Sequence, residues 1–109
     1  MDLTNKVAIV TGAAGYIGST TAKRLASEGA AVAVCDVNGD QARAVADAIT
    51  LAGGQAMAVE TDVRSTASIE AMVAQVRGWQ GHIDILVNVA GGSARERAST
   101  VHGSSEEVI

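Results

Sequence analysis

Three glycines, Gly12, Gly15 and Gly18, recur at every third position of Thr11-Gly12-Ala13-Ala14-Gly15-Tyr16-Ile17-Gly18. Such a loop suits a phosphate. Glycine permits a tight turn, lets backbone approach an anion closely, and lets a helix sit hard against a strand. Free N–H groups at a helix start then face the anion, and the helix dipole adds to their pull. No Gly-Lys-Ser/Thr follows, which excludes a P-loop. The second chemically informative residue is Asp36, which ends Ala-Val-Ala-Val-Cys-Asp, 18 residues after Gly18. An acid there can accept from both hydroxyls of a ribose, and its charge repels a 2′-phosphate. Ala13, Ala14 and Val37 offer no cation to offset that charge. Alone, the loop could be a packing turn and Asp36 a solvated acid; at this spacing they point to NAD.

These residues need strands and helices to hold them. Lys6–Thr11, Ala31–Cys35, Gln55–Val59 and Ile83–Val87 are short apolar or β-branched runs, the pattern of parallel strands buried on both faces. Helical spacing lies between them. Ile17, Thr21, Ala22, Leu25 and Ala26 share one face, with a stop at Gly29. Ala42, Val45, Ala46 and Ile49 form a second stripe, with Asn38 as N-cap, Gln41 three residues on, and Gly53-Gly54 as the end. A third helix starts near Ser65, carries Ile69, Met72, Val73 and Val76 inward, and stops around Gly78 to Gly81. Alternation of this kind predicts an α/β fold with a doubly wound parallel sheet. Right-handed crossovers predict the strand order 3-2-1-4, the first half of a Rossmann domain.

Composition narrows the function. The 109 residues carry a net charge of −4 and only two aromatic side chains, Tyr16 and Trp79, which argues against a nucleic-acid surface. No apolar run approaches the ~20 residues of a bilayer span. Met1–Lys6 contains no apolar signal core, and the single cysteine, Cys35, cannot form an internal disulfide. The expectation is a cytoplasmic protein with no nucleic-acid or membrane partner. His82 and His102 show no metal-ligand spacing with Cys, Asp or Glu, so no metal is expected. Arg95-Glu96-Arg97 fits a solvated loop, and Cys35, Met57 and Met72 fit the core.

From Leu3 to Gly91 the chain resembles the short-chain dehydrogenase/reductase family. Leu-Thr-Asn-Lys-Val-Ala-Ile-Val-Thr-Gly looks like that family's first strand and turn, and Asp62-Val63 is similar to its adenine-binding pair. The resemblance implies that the Asp62 carboxylate accepts from the adenine amino group while the Val63 backbone meets the ring. Asn88-Val89-Ala90-Gly91 looks like the family's Asn-Asn-Ala-Gly motif, whose backbone passes beside the nicotinamide-side ribose. The cofactor set is therefore expected to be Gly12, Ala14, Gly15, Tyr16, Ile17, Gly18, Asp36, Val37, Asp62, Val63, Asn88, Ala90 and Gly91. Two departures stand out. Tyr16 takes the place of the commonest second glycine, giving a Gly-x-x-Gly-x-x-Gly spacing closer to the extended branch that includes nucleotide-sugar epimerases. Val89 replaces an amide.

The implied activity is NAD-dependent hydride transfer between an alcohol and a ketone, by an enzyme expected to be a homo-oligomer. The family's proton transfer uses a serine, a tyrosine and a lysine four residues after the tyrosine. Tyr16 has Thr20 at that place, so no catalytic residue is assigned within these 109 residues. Residues 1–91 are expected to form the NAD-binding half-domain and 92–109 a polar loop. Its end, Ser104-Ser105-Glu106-Glu107, has the form of a capping box with almost no helix behind it. A continuing polypeptide is thus expected, with the 109 residues inactive alone. The rival reading is a truncated module that only binds a nucleotide or associates with a partner.

Overall fold

In the computed structural model, residues 1–89 are described. They form β1 (Val7–Thr11), α1 (Tyr16–Ser27), β2 (Ala31–Asp36), α2 (Gly39–Leu51), β3 (Gln55–Glu60), α3 (Thr66–Gln80) and β4 (Ile85–Asn88). All pairings are parallel and the order is β3-β2-β1-β4. The order is the expected 3-2-1-4, for the expected reason. Each parallel pair needs a helical crossover, and alternating buried runs supply the strands. Ala90, Gly91 and the expected polar segment to Ile109 lie outside the described residues.

The two sheet faces have separate cores. Ala8, Val10, Val32 and Val34 pack beneath Ala22 and Ala26 of α1 and Ala42, Val45, Ala46 and Ile49 of α2. Val7, Ile9, Ala31, Ala33, Cys35 and Val59 meet Met72 and Val76 of α3. Trp79 packs at the margin of this second core. The inward stripe of α1 is Gly18, Ala22 and Ala26, small residues that let the helix lie close to the sheet. Ile17 departs from the expected stripe and is 66 % exposed. Its position in the first turn places it at the rim of the sheet, not over it.

Two helix starts are sealed as their sequences suggest. The Asn38 side chain accepts from Gln41 N–H at 3.1 Å, and Ser65 Oγ accepts from Ser68 N–H at 3.1 Å. The fourth strand begins at Ile85, two residues later than its apolar pattern suggests. Asp84 explains the delay. Its N–H donates to the Val7 carbonyl at 2.8 Å, and its Oδ2 accepts from Val7 N–H at 2.8 Å and pairs with His82 Nε2 at 3.0 Å. A side-chain carboxylate thus does what the next backbone carbonyl of a longer strand would do. His82 therefore has an acidic partner two residues away, which its sequence context had not suggested.

Two expectations follow. Val7 is buried, so Asp84→Ala leaves its N–H unpaired and should cost about 1–3 kcal/mol in urea unfolding, with Asp84→Asn losing less. An unchanged midpoint would show that the bond carries nothing. Burial, aided by the charge of Asp36, pushes the Cys35 thiol up to about 12 from an ordinary 9.0, against a hydrogen bond with Thr61 that lowers it. The unfolded thiol ionises first, so this contribution to stability is complete below pH 9 and lost as pH rises towards 12. A thiol reagent at pH 8 should leave native Cys35 untouched and modify it in urea; equal rates in both would contradict the burial argument.

Candidate cofactor site

In the order β3-β2-β1-β4, the chain leaves β1 towards β2 and β3 and returns from β3 to β4 on the other side of β1, a switch point that opens a crevice at the carboxyl ends of β1 and β4. Every described residue expected at the cofactor lies at the carboxyl end of a strand or follows it. The sheet's hydrogen bonding runs slightly past those ends and pins the loops. Ala13 N–H donates to the Cys35 carbonyl at 3.0 Å, Thr61 N–H to Asp36 at 2.9 Å, and Val89 N–H to Thr11 at 3.2 Å. Thr11 itself is buried, and its hydroxyl donates to Asn88 Oδ1 at 2.5 Å. Thus β1, β2 and β4 hold the glycine loop from three sides.

The three glycines meet different demands. Gly12 adopts φ +67°, and a Cβ there would lie 2.2 Å from the Val89 carbonyl oxygen. At Gly18 a Cβ would lie 2.1 Å from the Gly12 carbonyl oxygen and 2.8 Å from Ala13 Cα. Both positions are closed to any side chain by backbone. Gly15 is different. Its φ of −77° suits any residue, and the nearest atom to its missing Cβ is the Gly12 oxygen at 3.8 Å. Space at Gly15 faces outward from the described protein.

The start of α1 is electrostatically bare. Gly15 is its N-cap, no side chain caps it, and no acid occupies its first turn. Ser19 supplies the first helical N–H to find an acceptor, the Gly15 carbonyl at 2.8 Å. The amides of Tyr16, Ile17 and Gly18 precede it, and an open helix start leaves such donors directed outward. Tyr16 is 85 % exposed, so its ring stands in solvent instead of filling the loop.

Asp36 and Asp62 are tied down by local backbone. Asp36 Oδ1 accepts from Asn38 N–H and Oδ2 from Ala14 N–H, both at 2.9 Å. Asp62 Oδ1 accepts from Arg64 N–H at 2.9 Å and Nε at 3.1 Å. The Arg64 side chain, then its backbone N–H, hold the Asp62 carboxyl below the usual carboxylate range, so it is an acceptor at neutral pH. Ser68 Oγ accepts from Asp62 N–H at 2.9 Å and anchors that loop to α3. Val37 and Val63, which follow the two acids, are 62 % and 47 % exposed. Sequence reasoning missed Ser68 and the bond to Ala14. The Asp-x-Asn and Asp-x-Arg turns, each an aspartate accepting from the N–H two residues on, were a usable signal.

A family model described as short chain dehydrogenase matches residues 6–108. A subunit of (2S)-[(R)-hydroxy(phenyl)methyl]succinyl-CoA dehydrogenase from Thauera aromatica is 38 % identical over 106 residues, covering 97 % of this chain and 42 % of that protein. The 2,3-dihydro-2,3-dihydroxybenzoate dehydrogenase of Bacillus subtilis is 40 % identical over 102 residues, 94 % of this chain and 38 % of its own length. Among solved structures, 7 alpha-hydroxysteroid dehydrogenase complexed with NADH and 7-oxo glycochenodeoxycholic acid superposes with a TM-score of 0.81 at 43 % identity. That match covers 84 % of this chain and 36 % of that one. The chain spans about two fifths of the length of these proteins. With a match along nearly all of its residues and the same parallel sheet, the chain belongs to the short-chain dehydrogenase family.

Proposed function

We propose that these residues form the NAD(H)-holding half of an oxidoreductase acting on an alcohol or ketone. The observation that carries the reading is Gly15. Neither its backbone angles nor any described atom requires glycine there, yet it is the N-cap directly before the open first turn of α1. An anion approaching those amides does require glycine. In this reading the Tyr16, Ile17 and Gly18 amides donate to the pyrophosphate, and Ala14 lines its path. The Asp36 carboxylate, with an unused lone pair on each oxygen, accepts from the adenosine ribose. Asp62 accepts from the adenine amino group, and the exposed Val37 and Val63 side chains cover the ring. Asn88 and Gly12 face the nicotinamide-side ribose, and Ala90 and Gly91 are assigned the same side from the motif alone. When bound, the nicotinamide supplies or accepts the hydride.

The alcohol proton must be handled by other groups. The sequence contains no Tyr-x-x-x-Lys, so none of these 109 residues is assigned the proton transfer. A phenol needs a nearby cation to bring its pKa of about 10 towards neutrality, and Tyr16 has no lysine at position 20. The named substrates of the relatives differ widely, a CoA thioester, a dihydrodiol and a steroid, so the reading stops at the alcohol or ketone. The same proposal has the enzyme in the cytoplasm as a homo-oligomer, a compartment that suits a buried thiol.

Cofactor choice tests the reading. The carboxylate of Asp36 opposes a 2′-phosphate, and the nearby guanidinium of Arg64 is paired with Asp62. Calorimetry at one ionic strength should find NAD(H) tighter than NADP(H) by about ten- to a hundredfold, roughly 1–3 kcal/mol. Equal or tighter NADP(H) binding would sink the assignment. Glycine substitutions give a second test. Gly15→Ala should keep its thermal midpoint and weaken NAD(H) about tenfold or more, whereas Gly18→Ala should lose roughly 1–3 kcal/mol or more of stability through backbone overlap. The opposite assignment of effects would contradict the proposal.

A further inference from the structure

The carboxylate of Asp36 is bonded further than a ribose acceptor needs. One oxygen closes a local turn through Asn38 N–H; the other reaches back 22 residues to Ala14 N–H in the glycine loop. Ala14 lies between two positions that are already constrained. Ala13 N–H is held by the Cys35 carbonyl at 3.0 Å, and Gly15 N–H has only a long contact of 3.4 Å to Gly12. Consecutive loop amides are therefore tied to the end of β2, one by its backbone and one by its last side chain. Beyond Ala14 the chain turns directly into the open first turn of α1.

We infer that Asp36 is a positioning residue for the glycine loop, setting the direction of the α1 amides before any ligand arrives. The bond to Ala14 crosses between two loops, is charge-assisted, and has no substitute among the described contacts of Ala14. Loss of the carboxylate therefore loosens the anion-facing loop as well as removing the ribose acceptor. A neutral residue at position 36 cannot convert cofactor preference cleanly, because it alters the shared pyrophosphate cradle too. Asparagine has one acceptor oxygen; turned towards Ala14, it keeps the tether and gives up the local turn to Asn38. The ligand half of this inference rests on the proposed dinucleotide site; the tether itself does not.

The test compares wild type with Asp36→Ala and Asp36→Asn, which carry the same charge as each other. Hydrogen exchange of the Ala14 amide in the ligand-free protein should quicken about tenfold or more in Asp36→Ala, with Val34 as a control for the intact sheet. Asp36→Asn should fall between the two, and it keeps the comparison open if alanine impairs folding. Affinity for 2′,3′-dideoxy-ADP, which has no hydroxyls for Asp36 to accept from, should be lower in Asp36→Ala than in Asp36→Asn by several-fold. Unchanged Ala14 exchange in both variants, or equal dideoxy-ADP affinity in the two, would overturn the positioning role. If Ala14 responds but wild type binds neither NADH nor dideoxy-ADP, the tether stands and the dinucleotide reading falls.

Discussion

The carbonyl oxygen of Gly12 lies only 2.1 Å from the place that a Cβ on residue 18 would occupy. The close approach seats the first turn of α1 on the end of β1, and much of the molecule is arranged around it. It requires glycine at 18, and the Val89 carbonyl pressing on the other side requires glycine at 12. The turn is held because β1 lies between β2 and β4, both of which continue their hydrogen bonding past its end. Small residues along α1, Gly18, Ala22 and Ala26, keep the helix close enough for the contact to persist. An alanine-rich core thus trades apolar volume for close approach, and the gain is a helix start seated directly on the strand end.

The rim around that helix start is divided by chemistry. At its centre the first-turn amides of α1 are uncapped. On the β2–β3 side stand two carboxylates, Asp36 and Asp62, each already oriented by backbone N–H groups of its own turn. Beside them, Val37 and Val63 expose apolar surface that single-domain burial would otherwise remove. In the proposed reading, the amides take the pyrophosphate, the oriented carboxylates the ribose and the adenine amino group, and the apolar surface the adenine ring. Each feature alone has an ordinary structural explanation; their order across the carboxyl end of the sheet suits a single extended ligand.

Much of this was legible in residues alone. Buried β-branched runs separated by helical stripes are enough for the parallel order, since handedness leaves few alternatives. Asn38 and Ser65 act as caps because their side chains can reach only local amides. Ile17 was misplaced because helical spacing records which residues share a face, not where the sheet beneath that face ends. The start of β4 was misplaced because Asp84 satisfies backbone groups with a side chain, which an apolar pattern cannot register. The Asp36–Ala14 bond joins residues 22 apart and exists only once β1 and β2 are paired. Tyr16 was a clear departure in sequence, and its outward ring shows how the loop tolerates it.

The central claim is that the open amides of α1 receive the pyrophosphate of a nicotinamide dinucleotide. Backbone amide NMR during an NADH titration tests it most directly, because it reports binding residue by residue. The account predicts the largest shifts at Gly15 to Gly18, with a second group at Asp36 to Val37 and Asp62 to Val63. Absence of shifts at saturating NADH, or shifts confined to the far ends of α1 and α2, would contradict it.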